Sequence, residues 1–139
     1  LSSRTKSRKA ALDAIFAADA RKIDPLTLLD ATADQNTNRQ NQDTIIGYAR
    51  EIVSGIVQNH SDIDDRIESF SQSWSLERMP AVDRAILRVA VWEILFNDEV
   101  PDAVAISEAV ELAKEYSTDD SGTFVNGILG AIASTKSAK

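Results

Sequence analysis

Between Met79 and Leu95 the apolar residues Val82, Ile86, Leu87, Ala90, Val91, Ile94 and Leu95 recur at the period of one helix face. The same period predicts six further helices. The first runs from about Arg4 to Ala20, with Ala11, Leu12, Ile15 and Phe16 on its apolar face. Asp24-Pro25, a cap followed by proline at the first helical position, opens a short second helix to about Ala33. The polar run from Asp34 to Gln42 predicts a loop. A third helix, Gln42 to Asn59, aligns Ile45, Ile46, Ala49, Ile52, Val53, Ile56 and Val57; Gly47 and Gly55 weaken it but permit close packing. A fourth begins at Ser61 or Asp62 and carries Ile63, Ile67 and Phe70. Ser75 is expected to cap a short turn into Pro80, where the chain must change direction.

The long fifth helix is expected to end near Phe96-Asn97, and Val100-Pro101 separates it from a sixth that ends near Tyr116. Ser121 is then placed as the cap of a last helix containing Phe124, Val125, Ile128, Leu129 and Ile132. No segment alternates with the period of a strand, so the expected class is all-α, with about seven helices. A chain of 139 residues is one domain with room for a real core.

Composition narrows the chemistry. There is no cysteine, which excludes disulfides and thiolate chemistry, and a single histidine, His60, which excludes a His-rich metal site. His60 stands at an expected helix end and reads as a capping group. Asp62, Asp64 and Asp65 lack the glycine and distal glutamate of a calcium loop, and acids in a first helical turn are favoured by the dipole. Asp119 and Asp120 read similarly as loop acids ahead of a helix. No glycine-rich phosphate loop follows a strand. Neither a metal nor a cofactor is expected, and no enzymatic constellation is found. The basic N-terminus has no apolar stretch behind it, so no signal peptide is expected, and the start at Leu1 suggests that the true start is missing or processed. The run from Ser121 to Thr135 is too short and polar to span a bilayer.

Charge changes the picture more. The net charge is −7, yet residues 1–22 hold Arg4, Lys6, Arg8, Lys9, Arg21 and Lys22 against Asp13 and Asp19, a balance of +4. The rest of the chain carries −11. A basic arm on an acidic body suggests one anionic and one cationic partner; a solvated tail is the plainer alternative. The arm cations oppose the dipole of their own helix, a local conflict expected of residues kept for binding. Phe16, two turns beyond Arg8 and Lys9, can share a surface with them and stack on a base, or can simply pack in the core. Lys114, Thr123, Phe124 and Asn126 form a second group, in which an amide beside an aromatic suits unpaired bases. Core anchoring of Phe124 and a turn hydrogen bond at Asn126 are the structural alternatives.

Three ordered stretches carry a resemblance. Val82-Asp83-Arg84-Ala85-Ile86-Leu87-Arg88, then Ser107-Glu108-Ala109-Val110-Glu111-Leu112-Ala113-Lys114, then Asp120-Ser121 with Phe124-Val125-Asn126-Gly127 together resemble the NusB transcription antitermination family. The resemblance implies two packed helical subdomains, about 1–74 and 75–139. It implies binding of single-stranded boxA RNA from ribosomal RNA leader transcripts, jointly with the small-subunit ribosomal protein that doubles as NusE. The resulting complex makes RNA polymerase read through terminators, which implies a cytoplasmic protein. By position, the family's RNA-binding arm corresponds to Arg4, Lys6 and Arg8, with Lys9 beside them and the aromatic at Phe16. Thr5 and Ser7 make this arm sparser than the densest family examples. The turn at Asp120, Ser121, Phe124 and Asn126 lies by the RNA path in the family. NusE is implied to dock around Glu77 to Arg88 and Val100-Pro101-Asp102, which makes Glu77, Asp83 and Asp102 the candidates for meeting a basic partner, with Arg84 on the same docking face; Asp83 can also serve as a first-turn helix acid. Two other readings compete: an acidic protein-interaction scaffold without specific RNA binding, and the RNA-recruiting fragment of an rRNA methyltransferase.

Overall fold

The computed structural model describes residues 2–35, 42–71 and 74–137. Most of the expected polar loop, residues 36–41, lies outside the described residues. Among the described residues there are seven α-helices, one 3₁₀ turn and no strand: α1 (Ser3–Arg21), α2 (Pro25–Gln35), α3 (Gln42–Gln58), α4 (His60–Phe70), the 3₁₀ turn (Leu76–Arg78), α5 (Ala81–Phe96), α6 (Asp102–Tyr116) and α7 (Asp119–Ser137).

α5 is the axis of the molecule. It packs against α1, α3, α4, α6 and α7, while α1 and α3 pair on one side and α6 and α7 on the other. The apolar stripe read from the sequence describes only part of its burial. Ala85, Val89 and Trp92 are buried as well, together with the charged Asp83 and Glu93. A helix enclosed on nearly every side can carry charge only where a partner or a cavity receives it. Ile52, Ile63, Ile67, Leu129 and Ile132 from the surrounding helices and Leu87 and Ile94 of α5 itself are all fully buried. Each such side chain contributes about 1.5–3 kcal/mol of burial.

Local chemistry sets the helix ends, in places differently from the expectation. Asp24 does cap α2, accepting from the Leu26 amide at 3.2 Å. Ser2 caps α1 through the Thr5 amide at 3.1 Å. α7 begins two residues before Ser121; Thr118 is its cap, its Oγ1 accepting from the Ser121 amide at 3.0 Å. Ser75 makes no side-chain cap and holds its turn through its carbonyl, which accepts from Arg78 N. His60 opens α4 and does not close α3. That role falls to Asn59, whose amide Nδ2 donates to Gly55 O at 2.8 Å. Of the acids expected as caps, Asp64 instead receives two hydrogen bonds from Arg88, at 2.9 and 3.1 Å. Among the described residues no group of acids and histidine could hold a metal ion. Nor is any helix there long and apolar enough to cross a membrane.

The two glycines of α3 differ. Gly55 lies directly on the Trp92 indole, so α3 and α5 approach more closely than any side chain would allow. Gly47 faces open space and contributes nothing to packing. Phe16 also departs from expectation: it is 41% exposed and lies off the buried face of α1 formed by Ala11, Leu12 and Ile15.

Candidate nucleic-acid interface

The basic arm is the first two turns of α1, and its cations divide into two kinds. Arg4 is exposed, its guanidinium 3.7 Å from the Tyr48 ring centroid, and Lys6 is half-buried. Among the described residues neither makes an ion pair. Lys9 pairs with Glu115 on α6 at 3.1 Å. Arg8 is only 4% exposed. Its Nε donates to both carboxylate oxygens of Glu93, at 2.9 and 3.1 Å, and its Nη1 to Glu108 at 2.8 Å. Burial works against the charge of Arg8, but the Glu93 hydrogen bond and the charges of Glu93 and Glu108 outweigh it and hold the guanidinium ionised. Glu93 also accepts from the Tyr48 hydroxyl, which in turn accepts from Asn97 Nδ2 at 3.0 Å. The expectation that Arg8 is an open phosphate donor is therefore corrected: its Nε and Nη1 are already committed to the carboxylates of Glu93 and Glu108.

A second feature lies at the other end of α6. A groove of about 710 Å³ runs between the end of α4, the start of α5 and the start of α7. Its walls include Phe70, Trp74, Phe124 and Ile128, with the hydroxyl-bearing Ser117, Thr118 and Thr123 along one edge. Trp74 is 42% exposed, and its ring centroid is 5.3 Å from that of Phe124 at a tilt of 59°. Asp83 lines the groove although it is only 1% exposed. Its Oδ2 accepts from Ser121 Oγ at 2.9 Å, whereas Oδ1 has no hydrogen-bond partner among the described residues. An unpaired buried acceptor is costly, about 1–3 kcal/mol, and native structures retain few of them.

α6 joins arm and groove. Glu108 holds Arg8, Glu115 holds Lys9, and Lys9 Nζ stands 6.0 Å from the Tyr116 ring centroid. Ser117 and Thr118, next in sequence, are already groove wall. Of the remaining expected residues, Asp120 and Thr123 are exposed groove residues, and Phe124 is half-buried there. Ser121 is buried beneath the groove and bonded to Asp83, which removes its side chain from the open surface. Asn126 is exposed on α7, one turn after Thr123, and does not line the groove. Lys114 is exposed, 4.0 Å from Glu111, with its stem against Gly122. Phe16 and the groove are not brought together.

The candidate protein-docking residues fare unevenly. Glu77 is exposed. Arg84 is committed to Asp19 at 2.8 Å and to the Leu76 carbonyl at 2.8 Å, bracing the 3₁₀ turn. Asp102 pairs with Lys136 at 3.0 Å. Asp83 is corrected outright: burial removes it from any partner surface and gives it to the groove. Trp74 is the groove residue that periodicity missed. Its signal was a tryptophan outside every apolar stripe, between two helices.

This arrangement can be set beside known proteins. The model of the NusB family matches residues 5–134. The transcription antitermination protein NusB of Leifsonia xyli subsp. xyli is 55% identical over 136 residues, spanning 98% of this chain and 94% of that protein. NusB from T. maritima superposes with a TM-score of 0.85 at 40% identity, over 94% of this chain and 90% of the other. A structure of the antitermination factors NusB and NusE in complex with dsRNA gives a TM-score of 0.85 at 29% identity, over 96% of this chain and 97% of that one. Full-length similarity in sequence and fold, carried by the same helices that build the arm and the groove, makes this chain a member of the NusB family.

Proposed function

We propose that this chain is a non-enzymatic, cytoplasmic RNA-binding factor of transcription antitermination. It takes single-stranded boxA RNA from ribosomal RNA leader transcripts together with the ribosomal protein NusE, and so promotes read-through by RNA polymerase. Relatives in the family are named for antitermination, and one solved relative is held with NusE and RNA. The observation that carries the reading is the groove beside Trp74 and Phe124. Two aromatic faces accept an unpaired base by stacking. Arg4 and Lys6 supply the electrostatic attraction to phosphate, with α6 leading from them to the groove. Glu77 and Asp102 are the acidic groups on the NusE-facing side.

Binding of a labelled boxA-type RNA, with a scrambled control and with or without NusE, tests this directly. Selective binding that NusE strengthens is the expected result. Equal weak binding to both RNAs, unmoved by NusE, would overturn it, and partner binding without any RNA effect would favour a protein scaffold.

A further inference from the structure

We propose that Arg8 is a positioning residue of the RNA arm and not a phosphate ligand: anchored to Glu93 and Glu108, it sets where Arg4 and Lys6 stand. The inference rests on the RNA-binding function proposed above and assigns a different task to the most deeply buried cation of the arm.

Three elements meet at this guanidinium. Glu93 lies on α5, Glu108 on α6, and Tyr48, which shares the Glu93 carboxylate, on α3. The neighbours of Arg8 on α1 are tied to the same network. Thr5 Oγ1 donates to Glu108 Oε1 at 2.5 Å, and Ser7 Oγ, itself 1% exposed, donates to Ile45 O on α3 at 2.7 Å. Arg4 completes the set from outside, with its guanidinium over the ring of Tyr48. The first turns of α1 carry no acid to favour their own helix dipole, so beyond the Ser2 cap local sequence does little to hold them in place. Tertiary contacts do, and the Arg8 fork is the one that reaches two helices at once.

An Arg8 that turned outward to a phosphate would leave Glu93, 1% exposed, as an uncompensated buried charge. It would also break the network on which Arg4 rests. Contact with RNA therefore falls to the cations outside the network, and Arg8 acts on affinity through them.

Glu93→Gln separates the possibilities, because it keeps the side-chain volume and the Arg8 charge while removing the carboxylate. RNA affinity of the folded variant and amide hydrogen exchange of residues 3–9 are measured together, with boxA-type RNA as the probe. We expect at least tenfold weaker binding and faster exchange confined to the start of α1. A rise in affinity would identify Arg8 as a ligand freed from its competitor and overturn the proposal. Unchanged affinity, whatever happens to Tm, would reduce the network to a purely structural role and overturn it equally. Should Glu93→Gln not fold, Glu108→Gln removes only the outer, part-exposed half of the anchor and is read by the same criteria, with a smaller loss of at least threefold expected. Failure of the unaltered chain to bind the RNA would overturn the function itself, and it is seen before any variant is compared.

Discussion

Gly55 on α3 and Trp92 on α5 are packed so closely that a Cβ on Gly55 would lie 1.8 Å from the indole Nε1. Gly55→Ala should therefore destabilise the protein by about 1–3 kcal/mol, since the ring must leave its place in a dense core. Gly47→Ala, eight residues earlier in the same helix and facing open space, should stabilise by up to about 1 kcal/mol. Urea unfolding of the two variants checks the opposite signs.

Arg8 and Glu93 predict a larger effect. Arg8→Ala leaves the Glu93 carboxylate buried without its main cation and should cost about 3–5 kcal/mol. Arg50→Ala removes an ion pair with Asp30 in which both side chains are about half exposed, and should cost less than about 1 kcal/mol. Thermal and denaturant unfolding of both variants would show the contrast, and similar losses would contradict it.

Tyr48 gives stability an alkaline edge. Burial first, then its hydrogen bond to Glu93 and the charge of that carboxylate, push its hydroxyl up to about 12. The unfolded chain loses this proton at the ordinary tyrosine value near 10 and the folded one later, so stability falls as pH rises through that interval. Tyr48→Phe should be less stable at neutral pH but lose less between pH of about 10 and 12. Unfolding free energies at a series of pH values measure the difference in slope.

RNA binding should divide by residue class. With Arg4 and Lys6 as phosphate contacts, log affinity should fall against log salt with a slope of about −1.4, whereas four arm cations would give about −2.8. Trp74→Ala and Phe124→Ala should each weaken binding by about 1–3 kcal/mol while leaving the slope unchanged. Titrations at several salt concentrations separate the two kinds of contact.

The left-handed backbone at Lys22 (φ 58°), which ends α1, is a site for gain. Lys22→Gly relieves the contact of Cβ with the backbone there and should raise stability by up to about 1 kcal/mol. A lowered melting temperature would contradict this.

The helices were legible because each buries an apolar stripe, and a stripe is a property of local sequence. Asp83 and Glu93 were not, because periodicity treats a charge on a helix as facing water. On α5 both are buried: one received by Arg8 and Tyr48 from distant elements, the other by Ser121 and the groove. Arg8 failed for the same reason, since a run of basic residues looks alike whether or not an acid eighty-five positions away is waiting for one of them. Phe124 and Asp120 of the groove could be named in advance. Their convergence with Trp74 depended on how α4, α5 and α7 meet.

The two tryptophans of this chain occupy opposite environments, and that makes it its own optical instrument. Trp92 is 6% exposed between α3 and α5, so its emission should shift to the red only when the core opens. Trp74 stands 42% exposed at the groove, where a stacked base would quench it without touching the core. Quenching without a red shift would then signal an occupied groove, and a red shift would signal unfolding, in the same cuvette and without any label on protein or RNA.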